Sequence, residues 1–305
     1  MIRVLLLFWI ASAVIIIHEQ RFVRTIVYLG IFSLISSLCL LFFGAPDVAM
    51  AEAVVSALST IIFIISFEKY YSLSEVSNTA KKPVDIKKYI FPVVFSLFLF
   101  ILFIGFIPAN GANSYLKDQY ISMFSNDVGG ENTVTAIYLG YRMYDTLFEA
   151  LMLLVSIVAI IHLSAYQDVL VLSGKRKDSN NSEVAFFTIR IICPILILYG
   201  VYLIMNGHLS PGGGFQGGVV LASFFICRYI IYAIFDIRIG KVIMLEKIIY
   251  VGIVLLASVF ILLGAHSYLS IPKNIYLIMM NFLIGMKVAC GFLIIFYRFI
   301  AFEWR

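Results

Sequence analysis

Gly207-His208-Leu209-Ser210-Pro211-Gly212-Gly213-Gly214-Phe215-Gln216-Gly217-Gly218-Val219-Val220 separates two apolar runs, at about 186–206 and 215–235. Gly207, His208, Ser210 and Pro211 are poor material for hydrocarbon, and Pro211 cannot continue a helix. The glycines at 212, 213, 214, 217 and 218 permit a tight turn or re-entrant backbone and lead directly into the next apolar run. Each flanking run has the roughly 20 residues that a helix needs to cross a bilayer. A helix, a polar break and a second helix are therefore expected, with the rest of the chain arranged around the break.

Working outward, the same alternation repeats. The 305 residues are 62% hydrophobic and 13% charged, against roughly 45–50% apolar and about 25% charged in soluble domains. A soluble fold of this composition would have no polar surface left, so lipid is the solvent. Helices satisfy every backbone amide internally, and runs of this length favour them over the strands of a barrel. The expected fold class is all-α, a polytopic transmembrane helix bundle. Nine spans are read, at about 1–17, 25–43, 48–67, 89–107, 137–163, 186–206, 215–235, 247–264 and 275–297. Ala11-Ser12-Ala13 has the look of a signal-peptide cleavage site, but its apolar run continues through Ile17, so a retained span is expected.

The basic residues orient the bundle. Of the 22 Lys and Arg, 17 fall in the connections after spans one, three, five and seven and at the C-terminal end. Arg3, Lys117 and Lys273 lie on the opposite side, and Arg142 and Lys287 within apolar runs. The positive-inside rule then predicts an external N-terminus and a cytoplasmic C-terminus. The net charge of +5 is topological and calls for no nucleic-acid partner. Residues 68–88 and 164–185 read as cytoplasmic linkers, and 108–136 as the longest external loop with a Gly-Gly at 129–130. Cys39, Cys193, Cys227 and Cys290 stand isolated in apolar runs. They supply no framework for disulfides, zinc or an iron–sulfur centre, and no cofactor is expected.

Ionisable groups inside apolar spans cost roughly 2.5–3.5 kcal/mol each to insert, so they pair or function. Asp47 follows Pro46 at the start of a span, where an acidic residue caps a helix. Glu52 lies about 7 Å deeper, with Ser56 and Ser59 at i+4 and i+7 on its face, a stripe suited to a proton or small cation. The alternative for Glu52 is a buried carboxyl bonded to a neighbouring helix. Arg142, Asp145 and Glu149 share a face at i, i+3 and i+7. Arg142 can neutralise Asp145, leaving Glu149 a turn deeper without an intrahelical cation; the alternative is a structural clamp with Glu149 satisfied across a helix contact. Lys287 sits mid-span, too far from either end to snorkel easily, and needs a carboxylate partner or titrates. His162, His208 and His266 lack ligand spacing. Gly213/Gly217 and Gly214/Gly218 are small-xxx-small pairs that admit a close helix, while His208 and Gln216 are candidates to line a hydrated path.

Residues 207–218 resemble the signature of the MnhB/MrpB family, the B-type subunits of Mrp-type multisubunit sodium/proton antiporters. The related subunit of membrane-bound hydrogenases carries the same signature. Ala45-Pro46-Asp47-Val48-Ala49-Met50-Ala51-Glu52-Ala53 resembles the hydrogenase D-type module. The E-type module is resembled by Asn132-Thr133-Val134-Thr135-Ala136-Ile137, continuing through Arg142, Tyr144-Asp145-Thr146-Leu147 and Glu149. Both modules also form the C-terminal end of the large, A-type antiporter protein. Ala51 stands where the D-type usually has Thr, and Gly140 where the E-type often has Asp. The resemblance implies three fused modules, D-like over 1–80, E-like over 81–170 and B-like over 171–305, with three, two and four spans. It also implies a cell-membrane location, other antiporter or hydrogenase-like subunits as partners, and no enzyme activity of its own.

Carried over, the family's membrane carboxylates map onto Glu52 and Glu149. These would be buried carboxylates of an ion path, with Na+ at Glu52 or Glu149, Arg142, Asp145, Lys287 and Ser56 shaping the path, and Gly207, His208, Pro211, Gly212, Gly213, Gly214, Gln216, Gly217 and Gly218 forming a structural motif. The expected function is that of a membrane subunit in a Na+/H+ antiporter complex. The same modules serve a redox-driven complex equally well, and a structural spacer is the third reading. No span pair shows the inverted repeats common in stand-alone transporters.

Overall fold

A computed structural model describes residues 2–70, 87–105, 114–163, 183–232, 239–264 and 273–301. Among these there is no strand. The linker readings at 68–88 and 164–185 lie largely outside the described residues, as does His266. The chain forms two compact units, one of residues 1–70 and 124–305, the other of residues 71–123.

In chain order the helices are α1 (Ile2–His18), α2 (Phe22–Phe42), α3 (Pro46–Tyr70), α4 (Lys87–Gly105), α5 (Ser114–Asp127), α6 (Thr133–Ala136), a π-helical turn over Ile137–Tyr141, α7 (Met143–Leu163), α8 (Glu183–Asn206), α9 (Gly214–Tyr232), α10 (Ile239–Gly264) and α11 (Lys273–Ala301). α2, α3, α7, α8, α10 and α11 are long and apolar enough to cross a membrane. Ile2–His18, Val93–Leu102 and Gly214–Arg228 are shorter apolar helices. In the second unit, α4 carries that apolar stretch, and most of α5 follows it. The external loop expected over 108–136 thus contains a helix. α5, SYLKDQYISMFSND, is too polar to register as a span, yet it has no Gly or Pro to break it.

In the first unit α11 is the axis. It packs against α9, α10, α7, α8 and α3. Within its most apolar stretch 61% is buried inside the protein, against 17–22% for the other five long helices. Their remaining surface is apolar and open, as a lipid solvent allows. Tyr276, Leu277, Met280, Ile284, Val288 and Phe296 of α11 lie in the core, and the Tyr276 ring stacks on Phe260 of α10 at 3.8 Å.

The predicted span 137–163 is not one regular helix. The π turn ends at Arg142 (φ −114°, ψ 32°) before α7 begins. Such a turn frees carbonyls that hydrocarbon cannot solvate. Two side chains take them up: Thr146 donates to the Tyr138 carbonyl at 2.5 Å, and Tyr276 to the Leu139 carbonyl at 2.9 Å. The preceding Gly129-Gly130 turn is tied to the start of α11, with the Gly130 N–H donating to Asn274 Oδ1 at 3.0 Å.

α9 lies between α8 and α11 because its first turns lack side chains. A Cβ on Gly217 would come 2.7 Å from the Gly200 carbonyl of α8, and one on Gly218 would come 2.5 Å from the Gly285 carbonyl of α11. Gly214 meets the Asn281 carbonyl as closely. Backbone cannot yield as a flexible side-chain end does, and overpacking costs about 1–3 kcal/mol or more. Gly218→Ala is therefore expected to lower the thermal stability of the detergent-extracted protein. Gly240→Ala in α10, where a Cβ meets nothing within 4 Å, should leave it unchanged or raise it by up to about 1 kcal/mol through helix propensity. Scanning fluorimetry of the two variants side by side checks the opposite signs.

Candidate functional site

The break between α8 and α9 is where three segments of the chain meet. Pro46 opens α3, which puts Asp47 in the first turn rather than at the cap expected for it. Its carboxylate is buried, and Oδ1 accepts the Gly212 N–H at 2.9 Å and the Asn132 amide at 3.3 Å. Asn132 caps α6 by accepting the Val134 N–H at 3.0 Å, while its Nδ2 also reaches the carbonyls of Gly207 at 3.2 Å and Ser210 at 3.0 Å. Thr135 donates to the Gly207 carbonyl at 2.6 Å. In return the His208 carbonyl accepts the N–H groups of Glu131 and Asn132 at 2.9 and 3.0 Å.

On the far side of the loop, Asn281 of α11 is fully buried. Its Oδ1 accepts the Gly214 N–H and the Tyr138 hydroxyl, both at 3.0 Å. Gly212 and Gly213 reach α9 with φ of 144° and 150°, which L side chains rarely adopt. A Cβ on Gly213 would also collide with the Tyr138 hydroxyl. His208 is buried, and its Nδ1 lies 3.0 Å from the Met205 carbonyl. Gln216 donates to the Asp47 carbonyl at 3.4 Å. The bonds recorded for both side chains thus run to backbone carbonyls.

Glu52 is part-buried between α2 and α3. Its Oε1 accepts a short hydrogen bond from the Ser33 hydroxyl of α2. Four residues along α2, Ser37 donates to the Ala49 carbonyl at 2.6 Å. The hydroxyl lining of this carboxylate therefore comes from α2. Ser56 and Ser59, expected to form a stripe beneath it, donate at 3.1 Å to the carbonyls of Ala53 and Ser56 in their own helix. A hydroxyl inside a helix takes the carbonyl three or four residues back when no stronger acceptor faces it.

Arg142 and Asp145 form the expected pair, with Nε donating to Oδ2 at 2.6 Å. Both side chains are more than half exposed. Glu149 is exposed as well, which corrects the expectation of a buried carboxylate. α7 turns Met143, Thr146, Ala150 and Ile157 inward, and Glu149 falls on the flank of that face, where it is exposed. Arg142, Asp145 and Glu149 are brought together on this one face; Glu52 and Lys287 stand apart on other helices.

Lys287 is 1% exposed and paired with Glu246 of α10, also 1% exposed. Its ammonium lies 5.1 Å from the centre of the Tyr250 ring. The sequence conceals Glu246, which looks like part of the charged connection before the eighth span, next to Lys247. α10 in fact begins at Ile239, two turns earlier. The i, i+4 spacing of Glu246 and Tyr250 on one helical face was the available signal.

Residues 184–301 match the family described as "Domain related to MnhB subunit of Na+/H+ antiporter". Residues 7–71 match the MbhD family, described as the D-type subunit of MBH. The chain thus joins an MbhD-related segment and an MnhB-related domain in one polypeptide. Proteins from Staphylococcus aureus strains MRSA252 and JH9 that carry the name antiporter subunit mnhA2 are 31% identical over 147 and 143 residues, 46% of this chain. The chain spans 17% of the length of these relatives. In fold, it is similar to part of the Mrp complex from Dietzia sp. DQ12-45-1b, with a TM-score of 0.79 at 16% identity, covering 97% of this chain and 34% of that one. It is also similar to a chain of the membrane-bound sulfane sulfur reductase, an archaeal respiratory membrane complex. There the TM-score is 0.55 at 23% identity, covering 69% of this chain and 96% of the other.

Removing one partner of a buried ion pair leaves an uncompensated charge and costs about 3–5 kcal/mol, whereas replacing both by apolar groups is often close to neutral. Glu246→Leu and Lys287→Met are each expected to destabilise the protein by that order. The double variant should recover most of the loss. Thermal denaturation of the purified protein, read as a double-mutant cycle, measures the difference.

Proposed function

We propose that this chain is a membrane subunit of a multisubunit monovalent-cation/proton antiporter, with Na+ as the cation and Glu52 and Glu149 in the ion path. The observation that carries the reading is the MnhB-related domain at 184–301, together with the 31% identity to proteins named as antiporter subunits. On this reading the chain has nine spans, an external N-terminus and a cytoplasmic C-terminus in the cell membrane. It is built from a D-like module over 1–80, an E-like module over 81–170 and a B-like module over 171–305.

The site chemistry supports it. A monovalent cation is held by oxygen ligands, and Glu52 offers a carboxylate beside the Ser33 hydroxyl. A second polar bond, from the Ser37 hydroxyl to the Ala49 carbonyl, crosses the same helix contact. Among the described residues no group of three or more His, Cys, Asp and Glu could hold a metal ion. A cation at Glu52 or Glu149 would therefore be held by at most two such side chains, with neutral oxygens completing its shell. Such a site exchanges its ion readily, because proton and cation compete for the same negative charge. Arg142 and Asp145 set the field above Glu149, Lys287 sits with its counter-ion in the core, and the loop at 207–218 holds the helices in register. The partners are the other subunits of the antiporter.

A redox-driven membrane complex is the second reading, favoured by the match of residues 7–71 to the MbhD family of MBH. Copurification separates the two: iron–sulfur or nickel subunits in the isolated complex identify a redox machine, and antiporter subunits alone identify an antiporter.

In inverted vesicles carrying the whole complex, Glu52→Gln and Glu149→Gln are each expected to reduce sodium-dependent proton flux to background. Subunit stoichiometry should stay unchanged. Full flux from a correctly assembled double variant would leave a purely structural role for both residues.

A further inference from the structure

We infer that the outward face of α7 is a subunit interface, at which a transmembrane helix of a partner protein sets a basic side chain against Glu149. The argument starts from charge. Glu149 is near the midpoint of the apolar segment 137–163 and is exposed on the surface of this chain. Hydrocarbon does not tolerate a lone carboxylate at that depth, and snorkelling from the middle of a span is beyond the reach of a glutamate side chain.

Arg142 and Lys287, two of the cations inside this chain's apolar runs, are engaged elsewhere. Arg142 is closed onto Asp145, and Lys287 is enclosed with Glu246 in the core. The apolar run of the second unit, residues 89–105, contains no basic residue. The face carries Arg142, Asp145 and Glu149, a net charge of minus one, and its complement is a single positive charge.

The rest of the face fits a helix rather than a solvated channel. Tyr144, Phe148, Met152 and Val155 are 63%, 62%, 70% and 56% exposed. They recur every three or four residues, so they form one continuous stripe flanking the carboxylate. α7 presents its opposite side to α10, α11 and the π turn, and the stripe is left for another body to cover. Lipid suits the aromatic and aliphatic members. It does not suit Glu149 or the exposed Arg142–Asp145 pair. A helix of a partner protein satisfies all of them, with its basic residue level with Glu149 and its apolar residues between the rings.

The inference rests on the multisubunit reading above, but its test does not depend on transport. With the photo-crosslinking residue p-benzoylphenylalanine at Met152, irradiation of native membranes containing the complete complex should give one adduct with a single other subunit. Mapping should place a Lys, Arg or His within one helical turn of the crosslinked residue. Glu149→Lys should lower, at least tenfold, the copurification of that subunit. Exchanging the two charges, with Glu149→Lys here and the mapped basic residue replaced by Glu, should restore it.

Adducts with lipid alone, a crosslinked helix that has no basic residue, or a swap that fails to restore copurification would each overturn the interface. Failure of any other subunit to copurify with the unaltered chain would instead overturn the multisubunit reading on which it rests. Loss of ion exchange with an intact crosslink would leave the interface standing and remove only the ion-path role of Glu149.

Discussion

The carboxylate of Asp47 holds the first unit together. A helix end buried in protein leaves N–H and C=O groups that need internal partners, and α8 ends and α9 begins at this loop. Asp47 accepts the Gly212 N–H there, and Asn132 covers the carbonyls of Gly207 and Ser210. One acidic group thus binds three distant parts of the chain: the start of α3, the cap of α6 and the loop before α9. Removing the carboxylate would strand the buried Gly212 N–H and take from the Asn132 amide one of its acceptors.

From that anchor the packing follows. The loop delivers α9 to its place with Gly214, Gly217 and Gly218 facing neighbouring backbone. Asn281 receives the first N–H of α9 on one lone pair and the Tyr138 hydroxyl on the other. α11 therefore touches the Gly-rich loop, α9 and the π turn through a single side chain. Its burial, far above that of the other long helices, reflects its position among the elements these bonds gather. In lipid the hydrophobic effect gives little drive for helix to meet helix, so close backbone approach and internal hydrogen bonds decide which surfaces join.

What is legible in the sequence follows the physics of single segments. Apolar runs of bilayer length are recognisable as helices because their period and length do not depend on neighbours. The Gly-rich break is visible for the same reason, and Arg142 with Asp145 pairs within one helix at the spacing read. The differences at the site largely concern what each side chain meets once the helices pack. Asp47 looks like a cap because a first-turn acid usually is one, and nothing local points to Gly212, 165 residues away. Glu246 looks like loop because charge near a span end is normally solvated. Ser56 and Ser59 lie on the right face, yet their own backbone is nearer than any partner. The cost of a carboxylate in lipid assigns Glu149 to the interior. That cost requires only that it avoid lipid, and a surface covered by another subunit meets the requirement equally well.

The charges at membrane depth thus fall into two kinds. Lys287 and Glu246 neutralise one another inside the core, as do Arg142 and Asp145 on the surface. Pairs of this kind hold a geometry, and moving a proton or cation through them means separating opposite charges in low dielectric. Glu52 and Glu149 differ: Glu52 accepts from the Ser33 hydroxyl, and Glu149 is exposed on the surface of α7. A carboxylate without a fixed counter-ion changes its occupant without breaking a salt bridge, the property that the proposed ion path asks of Glu52. The structural anchor at Asp47, satisfied by amide donors of fixed geometry, has the opposite property. On the proposed reading, the division between holding the fold and carrying an ion follows from what each carboxylate is bonded to.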